Sequence, residues 1–439
     1  MAVQNYISGD SAVKIAASVE SAVASGRAAA GHLLPPVRLL ASALQVSPAT
    51  VASAYRLLQE RGIAVADGRR GTRIRHASPV APTTAVALPE GVVNLAGGNP
   101  DPELLPDLAA AIRRAPFEPR LYGEELNDAR LLELAREQFE NDRVPAEQVA
   151  VVSGALDGIE RVLREHLRAG DRVAVEDPSF TGILDLLNAL SLVPVPVAVD
   201  DEGLIPAELQ PCVRSVQALI VTPRAQNPTG AAITAARAKR LRAVLAHRPE
   251  LLVIEDDHAG PIAGAPYVTL VDEARTSWAV VRSVSKSLGP DLRVALLAGD
   301  DRTLARVEGR QTLGIRWVSH VLQTLVVALW SDRNVHKRLA RAARMYAVRR
   351  GLLLDELAAR DIEAHGVSGL NVWIPVPEES AVVQALFQRG WAVTAGERYR
   401  LRTPPAIRVT ISTLTRDEAV RFADDLAAIL RPAQRRAVV

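Results

Sequence analysis

The chain has 439 residues, of which 48% are hydrophobic and 23% are charged, and its formal net charge is +2. This composition is typical of folded globular proteins and excludes a disordered chain, and the length suggests two to four domains. One cysteine, Cys212, excludes a disulfide scaffold and a cysteine-based zinc site. The sequence contains neither a long uncharged apolar stretch nor the apolar core of a signal peptide, so we expect a cytoplasmic protein with no membrane contact.

The charge is unevenly distributed along the chain. Residues 1–77 contain nine Lys and Arg against four Asp and Glu, which gives this part +5, while the other 362 residues carry −3. We refer to residues 1–77 as the basic head and to residues 92–432 as the body. This distribution of charge indicates that a polyanion would bind to the basic head and not to the mildly acidic body.

The basic head has the pattern of a winged helix-turn-helix. Apolar periodicity predicts helices over 10–26, 37–44 and 48–61, with Ser47 as the N-cap of the third. Two short strands over 63–65 and 72–75 follow, joined by a basic turn with hairpin chemistry. In such a domain the third helix enters the major groove. The alternative is a small helical domain whose arginines are merely solvated.

The segment LPPVRLLASALQVSPATVASAYRLLQERGIAVADGRRGTRI resembles the GntR family of bacterial regulators. Together with the charge of the hairpin, the resemblance implies a DNA-binding set of Arg38, Ser47, Thr50, Arg56, Gly68, Arg69, Arg70 and Gly71. The third helix opens SPATVASAY, where relatives often place a basic residue after the cap. We therefore expect the base contacts to be fewer or differently placed.

Residues 78–91 form a proline-bearing linker, and an α/β pattern follows it. Strands are predicted over 149–152, 172–175, 193–199, 218–221, 251–254, 279–282 and 294–298, with helices between them. The alternation predicts a mainly parallel sheet that binds ligands at the carboxyl ends of its strands. A long charged helix over 335–358 and a smaller α+β part over 361–430 complete the chain. We expect a large domain over 92–334 and a small C-terminal subdomain over 335–432.

Three motifs that follow predicted strands carry polar or aromatic groups. Ser153-Gly154-Ala155 opens a helix, whose backbone N–H groups suit a phosphate. Phe180, in DPSF, is placed to stack on a planar ring. Asn227, in QNPTG, would direct its amide at a ligand from a proline-fixed turn. Taken singly, the first motif is typical of any helix start, and the other two are equally compatible with a core phenylalanine and an ordinary turn.

Two further motifs carry titratable groups. Asp256, in EDDH, could stay ionised beside a pyridinium nitrogen, although a metal site with His258 and a surface acidic turn are alternatives. Lys286, in SVSK, is flanked by hydroxyl groups and suits a Schiff base with an aldehyde cofactor. Ser283 and Arg293 are placed to hold the phosphate of such a cofactor.

In this order the motifs resemble the fold type I pyridoxal-phosphate enzymes of the aspartate aminotransferase superfamily, over about residues 92–432. The resemblance implies that Lys286 forms the Schiff base, for catalysis or for sensing only. It implies a cofactor-binding set of Ser153, Gly154, Ala155, Phe180, Asn227, Asp256, His258, Ser283, Ser285, Lys286 and Arg293, with Tyr122 supplied by the partner subunit of a homodimer. Arg408, in AIRVTIS, would hold the carboxylate of an amino acid effector.

Two positions depart from the family pattern. His258 stands where the family usually has a tyrosine, and we expect its charge to change near neutral pH. Asn127 replaces an expected glycine after YGEEL. The departures favour cofactor binding over efficient transamination.

The combination of head and body resembles the MocR subfamily of GntR transcriptional regulators. It implies a regulator that binds double-stranded DNA as a homodimer and responds to pyridoxal phosphate, alone or with an amino acid or amine effector. No metal site is expected. An active aminotransferase that carries a DNA-binding head, and a regulator that has lost its cofactor, remain alternatives.

Overall fold

A computed structural model describes residues 6–25, 27–29, 31–60, 63–66, 71–74 and 88–430. These residues form two compact units. One comprises the described residues up to 74 together with 166–173 and 184–194, and the other comprises the remaining described residues. Among the described residues no helix is long and apolar enough to cross a membrane.

The N-terminal residues fold as three helices and a pair of short strands. The elements are α1 (Ala12–Ala24), α2 (Val37–Leu44), α3 (Pro48–Glu60), β1 (Ala64–Ala66) and β2 (Thr72–Ile74). The two strands are antiparallel, with Ala64 opposite Ile74. Helix α3 packs against α1 and α2 around a core that includes Ile15, Leu40 and Leu58. The predicted winged helix-turn-helix is therefore confirmed in its helices and paired strands, while the turn over 67–70 lies outside the described residues.

Nine strands follow in the described chain up to residue 299. They are β3 (Val93–Asn94), β4 (Val149–Val152), β5 (Arg172–Asp177), β6 (Val193–Asp200), β7 (Gly203–Leu204), β8 (Ala218–Val221), β9 (Leu252–Asp257), β10 (Trp278–Ser283) and β11 (Ala295–Gly299). All except β3 form one sheet in the order β4-β11-β10-β9-β8-β5-β6-β7. Strands β8, β9 and β10 are parallel, whereas β11 runs antiparallel to both of its neighbours. Each of the seven predicted strands is present, which confirms the mainly parallel sheet.

Eight helices accompany these strands within the part that the structure describes. They are α4 (Leu108–Arg114), α5 (Ala129–Asn141), α6 (Ala155–His166), α7 (Thr181–Ala189), α8 (Pro206–Leu209), α9 (Ala235–Leu245), α10 (Asp301–Thr312) and α11 (His320–Trp330). Polar side chains start several of them; Asp128 and Thr234, for example, accept the N–H groups of Leu131 and Arg237. Strands β4 and β8 to β11 are buried throughout, as expected for a parallel sheet covered on both faces.

The C-terminal part begins with the long charged helix that the sequence predicted. Its elements are α12 (Arg333–Ala358), β12 (Asn371–Pro375), α13 (Glu379–Gln388), β13 (Trp391–Ala392), β14 (Thr394–Ala395), β15 (Ala406–Thr410) and α14 (Arg416–Leu430). Strands β12, β15 and β14 form an antiparallel sheet. Strand β13 pairs instead with β3, far away in the sequence. The smaller α+β part is thus confirmed.

The topology brings the motif loops to one edge of the main sheet. Because β8, β9 and β10 are parallel neighbours, the residues that follow them, which include Asn227, His258 and Lys286, leave the sheet on the same side. Ser283 lies opposite Ala295, and Ala295 lies opposite Val152, so the loop after β4 leaves from this edge as well.

Candidate functional site

Lys286 lies in the turn that follows β10. Its Nζ donates a hydrogen bond of 2.7 Å to the carbonyl oxygen of Gly98. Burial, together with the positive charge of Arg408, lowers the pKa of Lys286 to about 8. Its amine therefore loses a proton closer to neutral pH than an ordinary lysine does, which suits a nucleophile that attacks a carbonyl carbon.

Asp256 and Asp257 are adjacent in β9 but have opposite environments. The Asp257 carboxylate accepts hydrogen bonds from Arg224 (2.9 and 2.8 Å) and Arg282 (2.7 Å). These guanidinium groups outweigh burial and hold the pKa of Asp257 below its usual range. Asp256 is 4% exposed, and its Oδ1 has no hydrogen-bond partner among the described residues. Burial and the charge of Asp257 raise the pKa of Asp256 to about 7, so this carboxyl suits a ligand that brings a positive N–H group.

Arg408 lies inside β15 and contacts Asn227. Its Nη1 donates to Asn227 Oδ1 over 3.3 Å, and its Nη2 donates to the carbonyl oxygen of Ala96. The guanidinium carbon lies 5.0 Å from the centre of the Tyr399 ring. Burial lowers the pKa of Arg408. This arginine, 5% exposed and stacked on an aromatic ring, is suited to a carboxylate ligand.

The start of α6 and Arg293 form a cradle for an anion. Gly154 has a φ of +102°, and a Cβ at this position would lie 2.6 Å from Arg293 Nη2. Arg293 Nη2 donates to the Ser153 carbonyl oxygen over 3.3 Å. Helix N–H groups and a guanidinium thus meet where a phosphate would be held. The Oγ atoms of Ser283 and Ser285 lie 3.0 Å apart at the end of β10, which leaves the sheet at the same edge.

Phe180 and His258 stand at the ends of β5 and β9. Phe180 is half-buried, and a Cβ on Gly182 would lie 2.6 Å from its ring, so the glycine leaves room for the aromatic side chain. For His258, burial and the charge of Lys286 lower the pKa to about 4. The expectation that the charge of His258 changes near neutral pH is therefore wrong, because burial, and secondly the charge of Lys286, disfavour an imidazolium there.

Tyr122 is 80% exposed, and its contacts within the chain are peripheral. Its ring meets the edge of Trp317 at 5.5 Å, and the guanidinium of Arg316 lies 5.2 Å from the ring centre. Asn127 donates a hydrogen bond of 3.0 Å to Glu308. The role expected for Tyr122 in a partner's site stays a prediction.

Of the expected DNA-binding residues that the structure describes, Arg38, Ser47, Arg56 and Gly71 are exposed and Thr50 is half-buried. Helix α3 buries Val51 and Leu58 while Ser53 and Arg56 point outward. Ser47 Oγ accepts the Thr50 N–H over 3.1 Å and lies 2.8 Å from Thr50 Oγ1, which confirms Ser47 as the cap. Gly71 is exposed with a φ of +98°. Gly68, Arg69 and Arg70 lie outside the described residues.

Two side chains that the motifs did not single out join the loops of the site. Gln226 Nε2 donates to the Pro178 carbonyl oxygen (2.8 Å) and to Glu176 (3.3 Å), and so ties the loop of Phe180 to the loop of Asn227. Burial raises the pKa of Glu176 to about 8. Glu176 directly precedes the DPSF motif and Gln226 begins the QNPTG motif, and these positions were the only sequence signal for their role in the site. Tyr399 gave no sequence signal, because only the fold places it under Arg408.

These groups fit pyridoxal phosphate. The free Oδ1 of Asp256 suits its protonated ring nitrogen, the Lys286 amine suits its aldehyde, and the Gly154–Arg293 cradle suits its phosphate. Among the described residues no group of three or more His, Cys, Asp or Glu side chains is arranged to hold a metal ion.

Residues 90–426 match the family described as aminotransferase class I and II, and residues 11–74 match the gntR family of bacterial regulatory proteins. The chain is 39% identical, over 96% of its own length and 98% of the relative, to the vitamin B6 salvage pathway transcriptional repressor PtsJ of Salmonella typhimurium. The chain belongs to the aminotransferase class I and II family and carries a gntR-family domain. This is the domain combination of the MocR subfamily, as the sequence predicted.

Two further matches are less similar to this chain in sequence. The pyridoxine biosynthesis transcriptional regulator PdxR of Corynebacterium glutamicum is 29% identical over 86% of each chain. Among solved structures, LysN, an alpha-aminoadipate aminotransferase of Thermus thermophilus complexed with N-(5'-phosphopyridoxyl)-L-leucine, superposes with a TM-score of 0.69 at 24% identity. The match covers 78% of this chain and 92% of LysN, and the likeness establishes the shared fold.

Proposed function

We propose that this chain is a transcriptional regulator whose basic head binds operator DNA and whose body binds pyridoxal phosphate, alone or with an amino acid or amine. Binding in the body changes the affinity of the head for DNA. The observation that carries the proposal is the Lys286 amine and the buried Asp256 Oδ1, which has no hydrogen-bond partner in the part of the chain that the structure describes, at the same edge of the sheet in a chain that also has a gntR domain. The names of the relatives PtsJ and PdxR, both regulators in vitamin B6 metabolism, support it.

The side chains of the site have separate tasks towards the cofactor. When bound, pyridoxal phosphate supplies an aldehyde that condenses with primary amines and a ring that withdraws electrons. Lys286 holds the aldehyde carbon through its Nζ. Asp256 accepts the ring N–H, and because burial opposes its ionisation, this charge is stabilised only when a positive N–H faces it. His258, uncharged at neutral pH, is available as a neutral hydrogen-bonding group.

The remaining groups hold the ends of the cofactor and the effector. The N–H groups at Gly154 and Ala155, with Arg293 and the Ser283 and Ser285 hydroxyls, bind the phosphate. Asn227 bonds the phenolic oxygen, and Phe180 stacks on the ring. Arg408 binds the carboxylate of an amino acid effector, in place of the Ala96 carbonyl oxygen that it now contacts.

An exposed apolar patch supports the homodimer. Large apolar side chains that are more than half exposed lie close in sequence to Tyr122 or to Trp317, which its ring contacts; they are Leu121, Leu313, Ile315 and Val321. An exposed apolar patch commonly marks an interface. A second copy that covers the patch would place Tyr122 against the phosphate of its partner's site.

Coupling between body and head requires two arrangements of the dimer that differ in affinity for the cofactor. The arginines of the head, among them Arg38 and Arg56, then meet two half-sites in one arrangement and not in the other. Domains over 1–77, 92–334 and 335–432, with a linker over 78–91, are part of this proposal.

Fluorescence anisotropy with a duplex from the region upstream of its own gene tests the function. We expect pyridoxal phosphate to change the affinity of the wild-type chain for this duplex. The control is Lys239→Ala, which removes an exposed lysine of α9, and its affinity should respond in the same way. Lys286→Ala should bind DNA without any response to the cofactor. Equal affinities with and without pyridoxal phosphate in the wild-type chain would contradict the proposal.

An active aminotransferase is the second candidate, because Lys286, Asn227 and Arg408 are all in place for an amino acid substrate. Conversion of amino acids to keto acids at about 1 s⁻¹ or faster, a typical enzyme rate, would favour it over a pure regulator.

A further inference from the structure

Asp177 is the last residue of β5, and its carboxylate is directed at the backbone of another part of the chain. It accepts three successive backbone N–H groups, from Leu401 (2.7 Å), Arg402 (2.8 Å) and Thr403 (3.0 Å). Asp177 is 4% exposed. Hydrogen bonds from N–H groups to a buried carboxylate are stronger than those between neutral groups, so this contact fixes the conformation of the 401–403 segment.

The same two segments are joined a second time. The backbone N–H of Ser179 donates to the Tyr399 carbonyl oxygen over 2.7 Å. On the other side of the loop between β14 and β15, Glu379 accepts the Glu397 N–H (2.7 Å) and the Ala406 N–H (3.0 Å). Two buried carboxylates from different elements therefore hold the loop that carries Tyr399.

Tyr399 connects this loop to the effector site. Its ring lies 5.0 Å beneath the guanidinium carbon of Arg408 and meets the edge of Trp373 at 6.3 Å. The Nη atoms of Arg408 are hydrogen-bonded, to Asn227 and Ala96, but its Nε has no hydrogen-bond partner among the described residues. The Tyr399 ring, stacked on the guanidinium, therefore helps to set the plane of the group. Recognition of a carboxylate by two parallel N–H groups is sensitive to that plane.

We propose that Asp177 is a positioning residue that holds Tyr399 beneath Arg408 and so sets the affinity of the site for ligands that carry a carboxylate. The inference rests on the proposed function, because it concerns the amino compound that binds beside the cofactor. Asp177 also precedes Phe180 in the loop proposed to cover the ring, so it joins the cofactor and effector parts of the site.

Asp177→Asn tests the proposal in the full chain loaded with pyridoxal phosphate. The asparagine oxygen can replace Oδ2 and accept the N–H groups of Arg402 and Thr403, but its amide N–H₂ then opposes the Leu401 N–H, which Oδ1 now accepts. L-Alanine and ethylamine, which differ by the carboxylate, are titrated while the visible absorbance of the bound cofactor is followed. We expect the dissociation constant for L-alanine to rise by about tenfold, the loss of roughly one charge-assisted hydrogen bond, and that for ethylamine to change by less than about threefold.

Asp300→Asn is the matched control. The Asp300 carboxylate also accepts two backbone N–H groups, from Trp278 (2.9 Å) and Thr303 (3.0 Å), but at the opposite edge of the sheet. We expect this variant to lose stability without a change in the ratio of the two dissociation constants. If Asp300→Asn changed that ratio as much as Asp177→Asn does, the proposal would be overturned. The loss of any carboxylate that accepts backbone N–H groups would then have the same effect on ligand selectivity.

Tyr399→Ala is the second variant, for use also if Asp177→Asn fails to fold. We expect it to weaken L-alanine binding selectively, and the double variant to show no further loss, because both changes act through one contact. Unchanged L-alanine binding in Tyr399→Ala, or equal losses for both ligands, would overturn the inference. If the wild-type chain binds the cofactor but not L-alanine, the inference fails while cofactor-dependent DNA binding can stand. Failure to bind the cofactor itself would end the proposed function as well.

Discussion

At the scale of single residues, the pKa of Lys286 predicts how the apoprotein reacts with pyridoxal phosphate. The neutral amine is the nucleophile, and burial and Arg408 lower the pKa of Lys286 to about 8. The rate should therefore rise with pH up to about 8 and then level off, instead of rising towards the ordinary lysine value of 10.5. Stopped-flow absorbance, with the rate of Lys286→Ala subtracted, measures this profile. A rate that still rises tenfold per pH unit above about pH 9 would contradict the assignment.

Asp256 should lower the stability of the cofactor-free protein in a pH-dependent way. Its pKa of about 7 lies above the ordinary 3.8, so the folded state binds more protons than the unfolded state between these values. Stability is then lost as pH rises from about 4 to 7, by at most about 4 kcal/mol. Asp256→Asn removes this cost. Urea unfolding should therefore show that the variant exceeds the wild-type chain in free energy of unfolding by more at pH 8 than at pH 5. The same variant should bind pyridoxal phosphate more weakly, and an equal difference in stability at both pH values would contradict the prediction.

The sequence predicted those residues of the candidate site whose role follows from their residue type and from their position just after a strand. Lys286, Asp256 and Asn227 follow apolar strands in recognisable motifs, and the fold places these loops at one edge. It mispredicted His258 because the pKa of that residue depends on burial and on Lys286, which lies 28 positions away. Asp177 escaped notice because its contacts join segments more than 200 residues apart, and Tyr399 because only the fold places its ring under Arg408.

At the scale of elements, the turn between β4 and α6 should make the site bind pyridoxal phosphate in preference to pyridoxal, which has no phosphate. Gly154 combines a φ of +102° with an approach that would put a Cβ 2.6 Å from Arg293 Nη2. Gly154→Ala should displace Arg293 and weaken binding of pyridoxal phosphate much more than binding of pyridoxal. Gly170→Ala is the control, since Gly170 also has a positive φ but nothing lies within 4 Å of its added Cβ. Equal weakening of both ligands in Gly154→Ala would exclude the phosphate role.

Helix α3 should contribute to DNA binding through its exposed face. Arg56→Ala removes one guanidinium from that face and should reduce the slope of log affinity against log salt by about one. Arg27→Ala, at an exposed arginine outside the expected DNA-binding set, is the control and should leave the slope unchanged. Anisotropy titrations at several salt concentrations measure both. The same slope for Arg56→Ala and the wild-type chain would place α3 away from the DNA backbone.

Element prediction succeeded where periodicity was long enough to be recognised. The strands from β4 to β11 that exceed three residues, and the helices α2 and α3, were predicted within three residues at each end. Strands β3 and β13 have two residues each and pair across almost 300 positions, so no local pattern marks them. Their pairing is a consequence of tertiary packing and not of local sequence preference.

At the scale of the whole molecule, the homodimer should be required for a complete cofactor site. Leu313 is 79% exposed and belongs to the apolar patch that we propose a second copy covers. Leu313→Glu should therefore shift the sedimentation coefficient towards that of a monomer and weaken cofactor binding, because each site loses the tyrosine of its partner. Val348→Glu, at an exposed valine of α12, serves as the control and should remain dimeric. A dimeric Leu313→Glu with unchanged cofactor affinity would place the interface elsewhere.

Mixed dimers separate a shared site from a merely adjacent one. Lys286→Ala chains lack the amine, and Tyr122→Ala chains lack the tyrosine, so each homodimer should bind pyridoxal phosphate poorly. When the two variants are mixed and exchange subunits, the heterodimer has one site that combines Lys286 of one chain with Tyr122 of the other. Binding should then recover to about one site per heterodimer, read from visible absorbance at a fixed cofactor concentration. Recovery follows only if Tyr122 acts across the interface, since a tyrosine that served its own chain would leave every site of the mixture defective.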